Sequence, residues 1–569
     1  MTGRTKTVAL IAATANGERN AAHLAGVWPD AEVYTGSPRD ALARAWGECG
    51  GIVFFLATGA AVRLIAPLLE DKRTDPGVVC VDDAARFALA LAGGHDGGAN
   101  ALAERVAETL GSAPVVTTAS DATHSPALDS FGSNLGFRVE EGSEAAAVAA
   151  ALVSGKEVRL VSERRYPVGP LPENVVRNGV VAPGAPAIVV SDRREDFPRP
   201  AVVYRPPSLV VGVGCSRGAS EAEIISLIRG SLVGAGLAEK SVAALASVKV
   251  KRDEAGLLAA AERLGISVRF YSSEELAALE VPNPSEVVAD AVGTPSVAEA
   301  AAMACGSELV VEKRKSKNAT CAVGRMPVRG RLYLVSLGPG DDALIPPLAR
   351  EALARSESVV GLKQYVERVR HLLRSGTRVT ELPLGKEIER AEVALEEARS
   401  GGSVALVSSG DIGVYAMASP ALELAGDDVD VTVVPGITAS QSAAALLGSP
   451  LGHDHCSVSL SDLLTSWDAI RGRIEAAAAG DFVVSFYNPR SKGRDWQLGK
   501  AREILLGSRP PETPVGIVRD AYRLTQEVRI TDLGSLRPED VDMLTVVVVG
   551  NSQTVVRAGR MVTPRGYLT

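Results

Sequence analysis

Residues 404–415 place the tightest limit on how this chain can fold. They read VALVSSGDIGVY, an apolar run that ends at a Gly-Asp turn, and a helix is expected to begin near Ala416. The two serines let another molecule approach the backbone, and the glycines on either side of Asp411 permit unusual dihedral angles. The segment therefore predicts a buried strand, a loop and a helix, with Asp411 at the carboxyl end of the strand.

Two further segments have the same character. Residues 335–341 (VSLGPGD) and 433–439 (VVPGITA) each follow an apolar, strand-like run. Taken singly, such segments are also typical of ordinary strand-to-helix turns. No G-x-G-x-x-G is completed after Gly338 and no G-K-[ST] follows a glycine loop, which argues against a dinucleotide or a nucleoside triphosphate. Three such loops in one region favour a single nucleoside ligand without phosphates.

Length and composition indicate a globular protein of several domains. A chain of 569 residues is too long for one core, and three or more domains are expected. The hydrophobic fraction of 46% and charged fraction of 22% exclude wholesale disorder and suit packed α/β domains. The sequence has no apolar run long enough to cross a bilayer, and its start is strand-like rather than signal-like. We expect a cytoplasmic protein with no membrane partner.

Cysteine spacing and net charge narrow the classes of ligand. The six cysteines are scattered, with no C-x-x-C pair, which argues against disulfides, zinc ribbons and iron-sulfur motifs. The cluster HDHC at 453–456 lacks a further ligand at a recognisable spacing, so no metal site is predicted. A net charge of −8 gives no general attraction to nucleic acid, so an acidic ligand would need locally grouped Lys and Arg.

The first 207 residues read as strands and helices separated by polar loops. The loop at 92–100 carries four glycines around His95 at a helix start, which would expose the ring beside backbone amides, although His95 could equally cap the turn. The proline-rich segment 199–207 is interpreted as a linker. Strands are predicted at 7–14, 51–57, 78–81, 114–118, 158–161 and 187–190, and a helix is predicted from Thr58.

A new strand-loop-helix pattern starts at residue 209. It continues to a predicted helix at 297–303 and a hairpin at 309–323 with its turn at 315–318. The lysines and the arginine of that turn are interpreted as a solvated surface rather than a site. Residues 326–330 form a short link to the last part of the chain, which reads as α/β to its end.

Residues 331–569 resemble a complete tetrapyrrole methylase, and in particular the precorrin-3B (cobalt-factor III) carbon-17 methyltransferases of cobalamin biosynthesis. The resemblance is carried by SLGPGD, GLKQYVERV, SSGDIGVYAMA, VPGITA, LGHDHCSVSLSDLLTSW, FYNPRS and VVVVGNSQT. It implies two lobes with S-adenosylmethionine in the cleft between them, methyl transfer to carbon 17 and ring contraction of a corrinoid substrate. The residues implied for the cofactor are Gly338, Pro339, Gly410, Asp411, Val414, Tyr415, Thr438 and Ala439, and those for the substrate carboxylates are Asn488, Arg490 and Arg519.

Residues 1–325 resemble the cobalt-precorrin-5A hydrolases. The motifs are VRLIAPLLEDKRTDP, GGHDGGANALAERVAETLG, VVTTASD, VGVGCSRG, KRDEAGL, SVAEAAA and KSKNATCAV. The resemblance implies opening of a δ-lactone with release of acetaldehyde. Opening an ester needs an activated water and a stabilised oxyanion, so His95 is predicted as the base. Lys72, Arg63 or Lys251 is predicted to hold a carboxylate or the oxyanion.

These patterns together predict a multidomain α/β bifunctional enzyme, with a homodimer formed through the methylase part. Two alternatives stay open: a non-catalytic corrinoid-binding role for residues 1–325, and a metal-free precorrin-3B substrate for the methylase. The predicted domains are 1–140, a middle region and linker at 141–207, 208–325, and two methylase lobes at 331–450 and 451–569.

Overall fold

A computed structural model describes residues 5–71, 74–94, 98–116, 128, 131–177, 179, 181–491 and 493–567. The chain divides into two compact units. The first unit comprises Met1–Glu163 and Leu171–Pro327, and the second comprises Arg164–Pro170 and Val328–Thr569. The division at Pro327 lies inside the predicted link. No helix in the described part of the chain is both long and apolar enough to cross a bilayer.

The first unit begins with a largely parallel sheet covered on both faces. Its strand order is β2-β1-β3-β4-β5-β6, and only the β4–β5 pair is antiparallel. Apolar clusters lie on each face of the sheet, one around Leu24 and Val106 and the other around Leu42 and Ile65. The strands are β1 (Thr5–Ala12), β2 (Ala31–Val33), β3 (Cys49–Phe55), β4 (Gly77–Val81), β5 (Phe87–Ala92) and β6 (Ala113–Val115), and the helices are α1 (Ala15–Val27), α2 (Pro38–Glu48), α3 (Thr58–Ile65) and α4 (Ala99–Leu110).

A second sheet follows, and it corrects one prediction. Residues 199–207 are not a linker, because Ala201–Arg205 forms a strand that is buried at every position and pairs with Ala187–Val190. Prolines flank this strand on both sides, so its composition resembles that of a linker although its pairing does not. The order is β7-β11-β10-β8-β9. The elements are β7 (Arg138–Val139), α5 (Ala145–Val153), β8 (Val158–Ser162), β9 (Val175–Arg177), β10 (Ala187–Val190) and β11 (Ala201–Arg205).

The third sheet of the first unit joins three parallel strands to an antiparallel hairpin. Its order is β14-β13-β12-β16-β15, and the helix predicted at 297–303 and the hairpin predicted at 309–323 are both confirmed. The strands are β12 (Leu209–Cys215), β13 (Val242–Val248), β14 (Ser267–Tyr271), β15 (Glu308–Lys315) and β16 (Ala319–Arg325). The helices are α6 (Glu221–Gly234), α7 (Ala255–Leu264), α8 (Ser273–Ala277), α9 (Glu286–Val292) and α10 (Val297–Met303).

The second unit opens with a fully parallel sheet of order β19-β18-β20-β17-β21. Apolar clusters cover both faces, as expected for strands that read as continuous hydrophobic runs. The helix after the Gly-Asp turn begins at Ala418, two residues later than predicted. The strands are β17 (Gly330–Ser336), β18 (Ser358–Leu362), β19 (Arg378–Leu382), β20 (Ser403–Ser408) and β21 (Val429–Val434), and the helices are α11 (Pro347–Arg355), α12 (Lys363–Val369), α13 (Glu387–Arg399) and α14 (Ala418–Leu424).

The rest of the second unit is built on a mixed sheet of order β23-β24-β27-β25-β26 and a small sheet of order β22-β29-β28. Three strands of the mixed sheet, Val483–Tyr487, Pro514–Arg519 and Thr545–Val549, are buried over most or all of their length. The helices are α15 (Ala439–Leu447), α16 (Trp467–Ala479) and α17 (Gln497–Leu506). The strands are β22 (Gly448–Ser449), β23 (His455–Ser459), β24 (Val483–Tyr487), β25 (Pro514–Arg519), β26 (Glu527–Asp532), β27 (Thr545–Val549), β28 (Val555–Arg557) and β29 (Arg560–Val562).

The short segment Arg164–Pro170 belongs to the second unit although it is distant in sequence. Arg165 donates from Nε and Nη2 to Glu357 Oε2 at 3.3 and 3.0 Å, and from Nη1 to Ser400 Oγ at 2.8 Å. The Glu357 side chain is only 10% exposed. A guanidinium from outside residues 331–569 therefore supplies two hydrogen bonds to a largely buried carboxylate of this unit.

Candidate functional site

The carboxyl ends of three parallel strands lie side by side in the second unit. Ser336 of β17 pairs with Ser408 of β20, and Val335 pairs with Val434 of β21. Ligands of open parallel sheets bind at this edge. The structure thus brings together the three predicted loops, which we name loop 1 (337–341), loop 2 (409–417) and loop 3 (435–438).

A backbone bridge joins loop 1 to loop 2. Gly338 and Gly410 exchange both hydrogen bonds, at 3.1 and 2.8 Å, and have φ angles of +64° and +69°. Side chains are disfavoured in this left-handed region, so the bridge needs glycine at both positions. Gly338 does not line the cavity formed by these loops, and its role is to hold Gly410 in place.

Asp411 ties loop 2 to loop 3. Its Oδ1 accepts the amide of Gly413 and its Oδ2 accepts the amide of Gly436, both at 2.8 Å. Gly436 is packed so closely that a Cβ there would lie 2.4 Å from the Cβ of Ser336. Each carboxylate oxygen keeps acceptor capacity for a further donor, such as a ribose hydroxyl. Asp411 thus fixes the loops and still offers negative charge at the strand end.

Two tyrosines pack against each other beside the loops, Tyr415 from loop 2 and Tyr487 from the end of β24. The rings of Tyr415 and Tyr487 lie 5.0 Å apart, and the Tyr415 hydroxyl donates to Ser457 O at 2.9 Å. The Tyr487 hydroxyl is within 2.5 Å of Thr438 Oγ1 and accepts the amide of Ser440 at 2.9 Å. Burial raises the pKa of the Tyr415 phenol, so Tyr415 presents a neutral ring.

These elements surround a cavity of about 420 Å³, which we call the loop cavity. This volume is within the range of small-molecule and cofactor sites. Most of the residues predicted to contact the cofactor lie on its wall, together with one residue predicted for the substrate. They are Pro339, Gly410, Asp411, Val414, Tyr415, Thr438, Ala439 and Asn488.

The two arginines predicted to hold substrate carboxylates do not line the loop cavity. Arg490 donates to Pro538 O at 3.2 Å. Arg519 forms ion pairs with Asp542 at 2.8 Å and Asp520 at 3.2 Å. Both guanidinium groups are therefore turned to partners within the protein.

Among the polar residues of the loop cavity that were not predicted from the sequence are Tyr487, Asp520 and Arg523. Asp520 is 7% exposed, has a φ of +48° and lies 3.5 Å from Arg523. Tyr487 ends the strand β24, and Asp520 and Arg523 directly follow β25. A polar residue at the carboxyl end of a strand-like run is the sequence signal that could have identified them.

A second cavity lies in the first unit, at the carboxyl ends of β12 and β13. Its volume is about 590 Å³, and we call it the basic cavity. One side is apolar, with valines from β13, α9 and α10. The charged residues that line it are all cationic: Arg217, Lys251, Lys313, Lys315 and Lys317. The lysines of the hairpin turn, predicted to be a solvated surface, are thus also part of a cavity wall.

Lys251 is the residue predicted for the hydrolase that the structure places in a cavity. Its Nζ lies 3.6 Å from Glu254 Oε2, and the two side chains are 16% and 5% exposed. Glu254 also accepts the amide of Gly218 at 2.7 Å. Burial raises the pKa of the Cys215 thiol on the same wall, against an opposing effect of Lys251, so this cysteine is a neutral thiol.

The remaining predicted hydrolase residues lie elsewhere. Arg63 is exposed on α3, donates to Gly59 O at 3.1 Å and does not line the basic cavity. His95 and Lys72 lie outside the described residues. Within the described ranges, no three His, Cys, Asp or Glu side chains form a group that could hold a metal ion.

Comparison with protein families divides the chain into four matched regions. Residues 40–121 match Cobalamin synthesis G N-terminal, residues 126–206 match Cobalamin biosynthesis central region, and residues 209–324 match Cobalamin synthesis G C-terminus. Residues 331–537 match Tetrapyrrole (Corrin/Porphyrin) Methylases. The first three matches follow the three sheets of the first unit.

Individual relatives support the same division. A "Probable cobalt-factor III C(17)-methyltransferase" of Salmonella typhimurium is 48% identical over 242 residues, which cover 42% of this chain and 99% of that protein. A "Cobalt-precorrin-5A hydrolase" of Priestia megaterium is 35% identical over 313 residues, covering 52% of this chain and 84% of that protein. The crystal structure of the methyltransferase CobJ is 38% identical, covers 41% of this chain and 100% of its own, and has a TM-score of 0.40.

Proposed function

Because the chain belongs to the tetrapyrrole methylases through residues 331–537 and to the cobalt-precorrin-5A hydrolases through residues 40–324, we propose that it catalyses two steps of cobalamin biosynthesis. The second unit methylates carbon 17 of cobalt-factor III with S-adenosylmethionine. The first unit opens the lactone of cobalt-precorrin-5A by hydrolysis.

The first half of this proposal rests on the three strand-end loops that meet around the loop cavity. A nucleoside with an amino-acid tail needs backbone donors and acceptors, a carboxylate for ribose hydroxyls and a shape of a few hundred Å³. Loops 1 to 3 supply backbone groups and small side chains, and Asp411 supplies the carboxylate. The aromatic rings of Tyr415 and Tyr487 suit a cationic sulfonium, which aromatic faces attract.

S-adenosylmethionine supplies an electrophilic methyl group, so the protein needs to align the acceptor carbon rather than provide a charged catalyst. Holding two reactants in a productive geometry accounts for a large part of the barrier lowering in such displacements. The Gly338–Gly410 bridge and the two bonds of Asp411 fix one wall in advance. Tyr487 holds loop 3 through Thr438 and Ser440, which fixes the opposite side.

Lactone hydrolysis is the second activity, and the basic cavity favours it. Water adds to the lactone carbonyl and the ring C–O bond breaks, which gives a carboxylate and an alkoxide that takes up a proton to become a hydroxyl. Acetaldehyde leaves when this hydroxyl loses its proton, its carbon becomes a carbonyl and the C–C bond to the macrocycle breaks, with the electron pair left on a macrocycle carbon that takes up a proton. An ammonium such as that of Lys251 can hold a substrate carboxylate or the oxyanion of this step. His95 stays the predicted base. The apolar wall facing five cationic side chains suits a macrocycle with carboxylates at its edge.

The proposal is tested by incubating the full-length protein with cobalt-factor III and S-adenosylmethionine and following the corrinoid by mass spectrometry. We expect a product heavier by one methyl group, and a parallel reaction with metal-free precorrin-3B distinguishes the alternative substrate. No methylation of either compound would refute the methylase half.

The hydrolase half is tested separately with cobalt-precorrin-5A. Release of acetaldehyde supports an active hydrolase. Tight binding of the corrinoid without acetaldehyde would instead favour the non-catalytic binding role. The predicted homodimer is checked by light scattering, and a monomer at micromolar concentration would contradict it.

A further inference from the structure

Two arginines converge on one hydroxyl at the wall of the loop cavity. Arg368 of α12 donates from Nη1 to Ser409 Oγ at 3.5 Å, and Arg523 donates from Nη2 to the same oxygen at 3.2 Å. Each also donates to loop 1, Arg368 to Leu337 O at 3.4 Å and Arg523 to Pro339 O at 3.2 Å. Ser409 and Arg523 both line the cavity.

Positive charge is in excess at this point. Arg523 lies 3.5 Å from the carboxylate of Asp520, which Arg519 also contacts at 3.2 Å. Arg368 forms no ion pair with any carboxylate of the residues that the structure describes. Burial, and next the charge of Arg523, lower the pKa of Arg368, yet a guanidinium stays protonated in proteins. Arg368 and Arg523 thus share the hydroxyl of Ser409, while the carboxylate of Asp520 is shared between Arg523 and Arg519.

The remaining guanidinium N–H donors of Arg368 and Arg523 suit an anion with two oxygens. A guanidinium has five N–H donors in a fixed fork, and paired arginines hold carboxylates in bidentate geometry. The Arg523 side chain is 27% exposed, so an anion in the cavity can reach it. A bound carboxylate would also offset the repulsion between the two guanidinium groups.

We propose that Arg523 and Ser409 form a carboxylate-binding subsite on the wall of the loop cavity, and that Arg368, which does not line this cavity, positions Ser409 and adds positive charge to the subsite. This proposal rests on the methylase function above and adds to it the group that orients the ligand. The carboxylate belongs either to the amino-acid part of S-adenosylmethionine or to a side chain of the tetrapyrrole. The subsite takes the role that sequence reasoning gave to Arg490 and Arg519.

Calorimetric titration of the full-length protein separates the two sources. S-adenosylhomocysteine carries the amino-acid carboxylate, whereas 5′-methylthioadenosine has the same nucleoside and thioether without it. The variants are Arg368→Met and Arg523→Met, and the control is Arg471→Met, which removes an exposed arginine of the same unit outside the cavity wall. Cobalt-factor III, titrated into the same variants, reports on the tetrapyrrole carboxylates.

If the carboxylate is that of the cofactor, both variants weaken S-adenosylhomocysteine by about tenfold or more, as expected for loss of a charge-assisted bond, and leave 5′-methylthioadenosine unchanged. If it is that of the tetrapyrrole, both nucleosides bind normally and cobalt-factor III weakens by a similar factor. The Arg471→Met control changes the affinity for neither ligand in either case.

Three results would overturn the subsite. All ligands could bind both variants as tightly as the wild type. Alternatively, 5′-methylthioadenosine could weaken as much as S-adenosylhomocysteine, which would mean that the arginines only support loop 1. A wild-type protein that binds neither nucleoside would refute the proposed methylase function itself, and the subsite would fall with it.

Discussion

Replacing Asp411 with Ala should open the loop cavity without unfolding the second unit. The substitution removes two hydrogen bonds, one within loop 2 to Gly413 and one across to Gly436 of loop 3. The first is exposed and local, so the bond to Gly436 carries most of the effect. A backbone amide bonded to a carboxylate contributes about 1.5 kcal/mol at the lower end of its range. We therefore expect the affinity for S-adenosylhomocysteine to fall about tenfold.

Calorimetric titration measures this loss, and Asp341→Ala is the matched control. Asp341 Oδ1 accepts the amide of Ala343 at 2.8 Å, which is the same kind of bond two residues along the chain, but it does not join two loops. Asp411→Asn keeps one carbonyl acceptor and should show an intermediate loss. Acetaldehyde release from cobalt-precorrin-5A should be unchanged, because Asp411 belongs to the second unit.

Two results would refute this reasoning. Unchanged affinity in a folded Asp411→Ala protein would remove the carboxylate from the site. An equal loss in Asp341→Ala would mean that general loosening of the strand-end loops, and not the bridge to Gly436, controls binding.

Three further changes have expected outcomes. Arg165→Met removes two hydrogen bonds from the buried carboxylate of Glu357 and should destabilise the second unit by about 2 kcal/mol in urea titrations, with Glu357→Gln restoring part of the loss. A hydrogen bond from Arg105 lowers the pKa of Asp30 below its ordinary 3.8, so Arg105→Met should lower the urea midpoint at neutral pH, and the difference from wild type should shrink as pH falls through that lowered pKa, leaving the contribution of the Arg105 contact with the Trp28 ring. Lys251→Gln should slow acetaldehyde release by about tenfold to a hundredfold and leave methylation unchanged.

The order of elements was predictable wherever the pattern of apolar runs and glycine turns was local. The helix Val297–Met303 and the hairpin of β15 and β16 were predicted within a residue or two. The strand β11 was not, because its burial depends on its partners. Its five residues are buried in a sheet in which it pairs with β10 and β7. These partners are separated from it in sequence, so local composition does not reveal them.

The loops of the candidate site were predicted because their apolar runs and glycine turns are local patterns, whereas Arg368 and Arg523 were not predicted. Arg519 and Arg523 are four residues apart and equally plausible in the sequence. Asp542, from the turn before β27, pairs with Arg519, whereas Arg523 reaches Pro339 and Ser409 instead. Which of the two arginines lines the loop cavity depends on contacts between distant segments, and the spacing of residues in the sequence does not reveal those contacts.

The position of the hairpin-turn lysines follows from the sheet topology once the strand order is known. β16 runs antiparallel to β12, with Ala319 opposite Cys215, so the turn between β15 and β16 must lie at the carboxyl end of β12. That end is where ligands of parallel strands bind. A turn that is basic and solvent-exposed by composition is therefore brought to the wall of the basic cavity by its strand direction. Neutralising Lys315 and Lys317 together should weaken corrinoid binding to the first unit more than neutralising two exposed lysines outside the basic cavity, because Lys315 and Lys317 line the cavity in which Lys251 also lies.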